Sequence, residues 1–216
     1  MTRLVIICEG PTEEGFVKDC LAPHLVDHSV YAIPQLLGSS PARQGGGNVS
    51  VGRVVSHIRR VHRQFDQVTT LVDYYGFKDK GDMDCNTLTD EISKGAAREL
   101  GAGYSPDHII PYVQMHEFEA LLFSKPESFD VEDAWTDEQR RQVASIRNQF
   151  PTPEDINDHP GTTPSKRLEQ TFGSPPFKKT LHGPLIAEQI GLDVMREACP
   201  GFGAWLSRLE SLAAVG

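Results

Sequence analysis

The chain reads as an α/β fold on a mostly parallel four-stranded sheet with flanking helices, and three observations predict it. Residues 4–8 are a short, continuous apolar run rich in β-branched side chains, and Val68-Thr69-Thr70-Leu71-Val72 is a second β-branched run, as in strands buried on both faces. Stretches with apolar residues at helical spacing stand between such runs. Both runs lead into an acid with glycine close behind, Glu9-Gly10 and Asp73 before Gly76, at the sheet edge where open α/β folds bind ligands.

The elements follow in order. After the strand at 4–8, Gly10 permits a tight turn and Pro11 suits the first position of a helix, which continues through Phe16, Val17, Cys20 and Leu21. His24 and His28 are four apart, a spacing that suits a metal on a helix, but Pro23 points to a helix already ended and to surface histidines. Residues 30–37 form a second strand, with Pro34 marking an edge position. The loop at 38–48 contains Gly45, Gly46 and Gly47 without the Lys-Ser/Thr of a phosphate-binding loop, so it reads as a linker. Residues 50–65 form a helix with a stripe of Val51, Val54, Val55, Ile58, Val61 and Phe65. Its other faces carry Arg53, Arg60 and Arg63, either a solvated face or a track for a phosphate backbone.

A third strand covers 68–74, and Asp79, Asp82 and Asp84 follow it as solvated loop acids. Asn86 or Thr87 caps a helix running to Leu100, with Gly101 as its stop. Residues 108–115 form a fourth strand, then Glu117 and Glu119 open an apolar helix. From Lys125 onward prolines and glycines separate short helices at 137–149, 165–171, 185–198 and 202–212. The chain is thus expected to divide into an α/β domain at 1–125 and a helical C-terminal extension at 126–216 packed on it.

Composition limits the function. A net charge of −9 and a pI of about 5.3 exclude a passive nucleic-acid coat, which would be basic. Cys8, Cys20, Cys85 and Cys199 lack paired short spacing and read as reduced thiols. No apolar run reaches the roughly 18 residues of a membrane span, and the chain begins without signal-peptide organisation. A cytoplasmic protein is expected.

The acids carry the chemistry. Glu9 and Glu13 flank a turn and can face one crevice. Helix-dipole complementation accounts for Glu13 but poorly for Glu9, an acid directly after a buried strand. Asp73 ends another strand at the same sheet edge, and a divalent cation is the usual remedy for converging carboxylates.

With these acids placed, the chain resembles the Toprim fold of topoisomerases, primases and several nucleases. It looks most like Toprim-like bacterial proteins with a Cys-Glu-Gly-x-Thr-Glu start, an Asp-Tyr-Tyr-Gly segment and a Glu-Phe-Glu-Ala-Leu-Leu segment, here Cys8 to Glu13, Asp73 to Gly76 and Glu117 to Leu122. The related family of known role is the overcoming-lysogenisation-defect nucleases, which use two divalent metals. That resemblance implies a nuclease acting in bacterial phage defence, with Mg²⁺ or Mn²⁺ held by Glu9, Glu13, Asp73, Glu117 and Glu119. It implies catalysis by Glu9, Asp73 and a late lysine, assigned to Lys178 from the candidates Lys166, Lys178 and Lys179. Nucleic acid, DNA before RNA, would lie along Arg53, Arg60, Arg63, Lys166 and Arg167, and an ATPase would be the partner protein. Tyr75 stands where that family has a second Asp, which leaves one metal, or a second held by Glu119. Two other readings stay open: phosphoryl transfer on small nucleotides, favoured by the acidic pI, and a non-catalytic Toprim-like binding module, favoured by Tyr75.

Overall fold

The strand β1 (Thr2–Cys8) lies between two parallel partners, β2 (Val30–Leu36) and β3 (Gln67–Asp73). The computed structural model describes residues 1–38, 49–157 and 161–215; the glycine loop at 45–47 lies outside them. The sheet order is β2-β1-β3 and then β4 (Ile109–Ile110), so Pro34 does sit in an edge strand. The fourth strand is broken into β4 (Ile109–Ile110) and β5 (Val113–Gln114), both parallel to β3, which gives five strands in place of four. Pro111 lies in the break, where it has no N–H to give a ladder. The Thr70 hydroxyl fills that gap: it donates to Tyr112 O at 2.6 Å and accepts from Tyr112 N at 2.8 Å.

Alternation along β1 separates two cores. Val5 and Ile7 pack with Val54, Ile58, Leu88 and Ile92, which come from α3 (Val51–Val61) and α4 (Cys85–Leu100). Leu4, Ile6 and Cys8 belong to a larger cluster that takes in Phe16, Phe118, Trp135, Phe172 and Phe202. Residues beyond 125 therefore share one continuous core with this face of the sheet. All four cysteines are free thiols. Among the described residues no helix is long and apolar enough to cross a membrane.

Several helices depart from their expected form. α1 (Pro11–Phe16) does not stop before Pro23. It passes through a wide π turn (Val17–Leu21), closed by Ala22 N–H on Val17 O, into α2 (Ala22–Asp27). A proline in the first turn of α2 needs no N–H, so the widened turn absorbs it. α4 is capped by Asp84, whose Oδ1 accepts from Thr87 N at 2.8 Å, not by Asn86 or Thr87. The apolar segment after Glu117 is a 3₁₀ helix (Phe118–Ser124). Among the described residues the remaining α-helices are α5 (Asp137–Arg147), α6 (Pro164–Thr171), α7 (Lys179–Ile190), α8 (Leu192–Ala198) and α9 (Pro200–Glu210). The helix expected at 185–198 starts earlier and breaks at Gly191, where φ is 79°.

α1 and α7 pack closely because small residues face each other. A Cβ on Gly15 would stand 2.9 Å from Pro184 Cγ, and one on Gly183 would stand 3.0 Å from Thr12 Cγ2. This contact brings the first residue of α7, Lys179, beside the strand edge. Gly15→Val should lower the unfolding free energy by about 1–3 kcal/mol through overpacking. Gly52→Ala, on α3 with nothing within 4 Å, should instead stabilise by roughly 0.5–1 kcal/mol. Denaturant unfolding of the two variants checks both signs; equal effects would mean that the α1–α7 contact is loose.

Candidate metal centre

The parallel register of β1 and β3 sets Cys8 opposite Leu71, so the residues after both strands emerge at one edge. Glu9 N donates to Leu71 O at 3.1 Å, and Asp73 N donates to Glu9 Oε2 at 3.1 Å. The Glu9 carboxylate lies against Gly76, where a Cβ would come within 2.9 Å of Glu9 Cδ. Any side chain there would have to displace the carboxylate.

The other acids reach the same place from three further elements. Glu13, in the first turn of α1, accepts from Gly10 N at 2.8 Å. Asp73 Oδ1 accepts from Phe118 N at 2.8 Å, at the start of the 3₁₀ helix. Glu117 Oε2 accepts from Ser165 N at 2.9 Å, at the start of α6. Glu119 forms an ion pair with Lys179 Nζ at 3.4 Å. With Thr12, Tyr75, Gly76 and Lys78 these side chains line a cavity of about 390 Å³.

The carboxylates converge on one crevice without closing into a cage. Among the described residues, the one trio of His, Cys, Asp or Glu side chains with ligand atoms all within 4.8 Å of one another lies elsewhere. Two causes suffice: an oxygen on each of four acids is held by a backbone amide, and like charges splay apart. The donor set is all oxygen, which fits a hard divalent cation such as Mg²⁺ or Mn²⁺ and not a thiophilic one. Glu9, Glu13, Asp73, Glu117 and Glu119 are the residues that would hold it.

Electrostatics mark these acids as frustrated. Burial, then the Glu119 and Glu9 charges, pushes Glu13 up to about 8. Burial, then Glu13, Glu9, Glu119 and Glu117, pushes Asp73 well above the carboxylate range. Burial also raises Glu119, although Lys179 opposes it. For Lys179, burial lowers the pKa, but Glu119, Glu117 and Asp73 outweigh it and hold the ammonium above its usual value.

The structure separates the other expected site residues. Lys178 is exposed and outside the crevice, with its backbone N–H on His182 Nδ1 at 3.0 Å. Of the late lysines, the one that lines the crevice is Lys179, one residue on, because α7 begins there and turns that side chain inward. Lys166 pairs with Glu169 at 2.6 Å, and Arg167 lies over the Phe150 ring and donates to Thr162 O at 2.8 Å. Arg53, Arg60 and Arg63 are exposed, but Arg60 binds His57 Nδ1 at 3.1 Å. α3 starts at the sheet's carboxyl edge, where Val49 bridges Phe77, and runs away from it. Seven residues of helix carry Arg60 about 10 Å beyond Arg53, and Arg63 lies past the helix end, in the turn that follows. Only Arg53 is thus at the crevice end of the sheet. Sequence reasoning missed Lys78 and Thr12 in the crevice wall and the α6 amide behind Glu117. The first two carried no signal beyond proximity to the acids, and the third joins residues 48 apart.

A family model described as a domain of unknown function (DUF4276) matches residues 8–210, and the chain belongs to that family. No curated protein and no solved structure matches it.

Two outcomes follow. Raised carboxyl pKa values mean that the folded state keeps protons the unfolded chain releases. Stability is then full below the ordinary value of 4.5 and is lost as pH rises towards about 8. Without divalent cations, Tm should fall by at least about 4 °C across that window, and millimolar Mn²⁺ should restore it at the alkaline end. A flat, cation-independent Tm would mean that the acids are balanced internally. Gly76→Ala should displace Glu9 and weaken Mn²⁺ binding at least about tenfold, as loss of a supporting contact does; calorimetric titration reads this directly.

Proposed function

We propose that this family member is a Toprim-like nuclease, dependent on Mg²⁺ or Mn²⁺, that cleaves phosphodiester bonds in nucleic acid, with DNA the first substrate to test. One observation carries the reading: five carboxylates, from the residue after β1, from α1, from the end of β3 and from the segment at 117–119, line a single crevice with Lys179. Glu13 and Glu119 are buried and Glu9, Asp73 and Glu117 half-buried, and carboxylates in such excess over cations call for a counter-charge. The order of acids along the chain, and its resemblance to the overcoming-lysogenisation-defect nucleases, supports the same class. A role in phage defence with an ATPase partner belongs to this proposal through that resemblance alone.

The division of labour follows from the geometry. A bound divalent cation supplies Lewis-acid polarisation of the phosphate and lowers the pKa of its water. Asp73 and Glu9, coupled through the Asp73 N–H to Glu9 Oε2 bond, orient one another. Lys179, kept protonated by its acidic neighbours, stabilises negative charge developing on the phosphoryl oxygens. Glu119 positions Lys179. The floor is protein rather than bulk water, which strengthens each of these interactions.

A second reading is favoured by Tyr75. It lines the crevice where the resembled nucleases have a second Asp, its hydroxyl is engaged by Asn157, and its ring stacks on His116 with centroids 5.4 Å apart. A site lacking that acid could bind nucleic acid or a partner without cutting.

Cleavage assays on single- and double-stranded DNA and RNA with Mn²⁺, alongside small nucleotides, decide between the readings. Asp73→Asn keeps an acceptor for Phe118 N and removes the charge, so it should lose at least about 100-fold in rate while folding as well as the parent. Lys179→Ala should lose a similar factor, and Lys178→Ala less than about twofold, as an exposed side chain outside the crevice should. Cleavage of nucleotides alone would select the small-substrate reading. Binding without cleavage of any substrate would select the non-catalytic one.

A further inference from the structure

The π turn in the first helical stretch has a second effect, on the far side of α2. By continuing the helix past Pro23 it puts His24 and His28 on one face, with ring centroids 5.0 Å apart. Glu210, the last residue of α9, meets both. His24 Nε2 lies 2.6 Å and His28 Nε2 3.7 Å from Glu210 Oε1. This is the trio whose ligand atoms lie within 4.8 Å of one another among the described residues, and none of the three is fully buried. We propose that His24, His28 and Glu210 form a binding site for a divalent transition-metal ion, Zn²⁺ by the donor set, that staples α2 to α9.

The distances suit that ion. Zinc–ligand bonds of about 2.0–2.2 Å in a tetrahedron set ligand atoms about 3.3–3.5 Å apart. The observed 2.6 and 3.7 Å straddle this range, and the ligand atoms of His24 and His28 lie within 4.8 Å of each other, so modest side-chain adjustment brings the three round one ion. Two imidazoles and one carboxylate are a common zinc set, and the solvent-facing side leaves the fourth position to water. Two nitrogens also separate this site from the all-oxygen crevice, which favours hard cations.

Arg196 is the competing charge. Its Nη1 donates to Glu210 Oε2 at 2.9 Å, and its Nη2 reaches Oε1. The ion needs only Oε1. Arg196 keeps Oε2 through Nη1, in the way a ligating carboxylate is oriented by an outer hydrogen bond. Nη2 also lies within ion-pair range of Asp193 Oδ1, 3.9 Å away. The site joins the helix after Glu13 to the end of the last long helix, so an ion there would bind the C-terminal helices to the element that follows the candidate centre.

The test uses the whole chain stripped of metal, with Mg²⁺ in excess to occupy the carboxylate crevice. Zn²⁺ titration by calorimetry should show one site, and Co²⁺ should give the visible absorption of a low-coordinate nitrogen and oxygen site. His24→Gln/His28→Gln, which replaces partly exposed side chains, should weaken Zn²⁺ at least tenfold and abolish the Co²⁺ bands. Asp73→Asn should leave both unchanged, which separates this site from the candidate centre. Absence of Zn²⁺ binding at millimolar concentration, or equal binding by parent and double variant, would overturn the proposal.

Discussion

The Glu9 carboxylate, held between the Asp73 amide and Gly76, is the contact on which the crevice depends. It exists because β1 and β3 run parallel and in register, with Glu9 N on Leu71 O. The same contact fixes where the chain goes after Asp73. The turn at 74–76 must pass close to a carboxylate, and the space at Gly76 leaves no room for a side chain. Asp73, anchored on one side by Glu9, anchors Phe118 on the other. A single chain of hydrogen bonds thus runs from the first strand to the third and into the 3₁₀ segment carrying Glu119.

The C-terminal half completes this arrangement rather than merely covering it. α6 gives an amide to Glu117, and α7 gives Lys179 to Glu119. Lys179 reaches its place through the close α1–α7 approach at Gly15 and Gly183. The apolar cluster shared by Phe16, Phe118, Phe172 and Phe202 holds these helices against the sheet face below the crevice. Hydrophobic burial here fixes the positions of charges that would otherwise separate.

Much of the fold was legible because it rests on local signals. Apolar runs marked β1 and β3, Pro34 marked the edge strand, and an acid after each buried run marked the edge where Glu9 and Asp73 meet. What stayed hidden depends on contacts distant in sequence or on one-residue phase. The choice of Lys178 over Lys179 turns on where α7 begins, and adjacent residues on a helix point about 100° apart. Pro23 read as a stop because a π turn cannot be recognised from composition. The fourth strand read as continuous because the Thr70 hydroxyl that bridges Pro111 comes from the neighbouring strand. The basic face of α3 read as a possible track because periodicity gives the face of a helix but not its direction from a distant site; His57, pushed down to about 4 by burial and Arg60, belongs to the core there.

Backbone amides hold most of the crevice acids, and that alone would describe ordinary helix capping. The chain contains its own comparison. Asp84 caps α4 through Thr87 N, and that bond lowers its pKa, as expected for a carboxylate at a helix start. Asp66 is lowered by its bonds to Arg3. Glu13 and Asp73 also accept amide bonds, yet burial and neighbouring acids drive both upward. The amide does not offset the cost of their environment, so capping does not account for placing them there. A fold that needed only caps at these positions would be served by Ser, Thr or Asn with no repulsion. Retaining five acids in one crevice, with Lys179 the ammonium in ion contact and Lys78 at its wall, disfavours the apo state and favours whatever brings positive charge to it. That imbalance is the physical support for reading the crevice as a cation site.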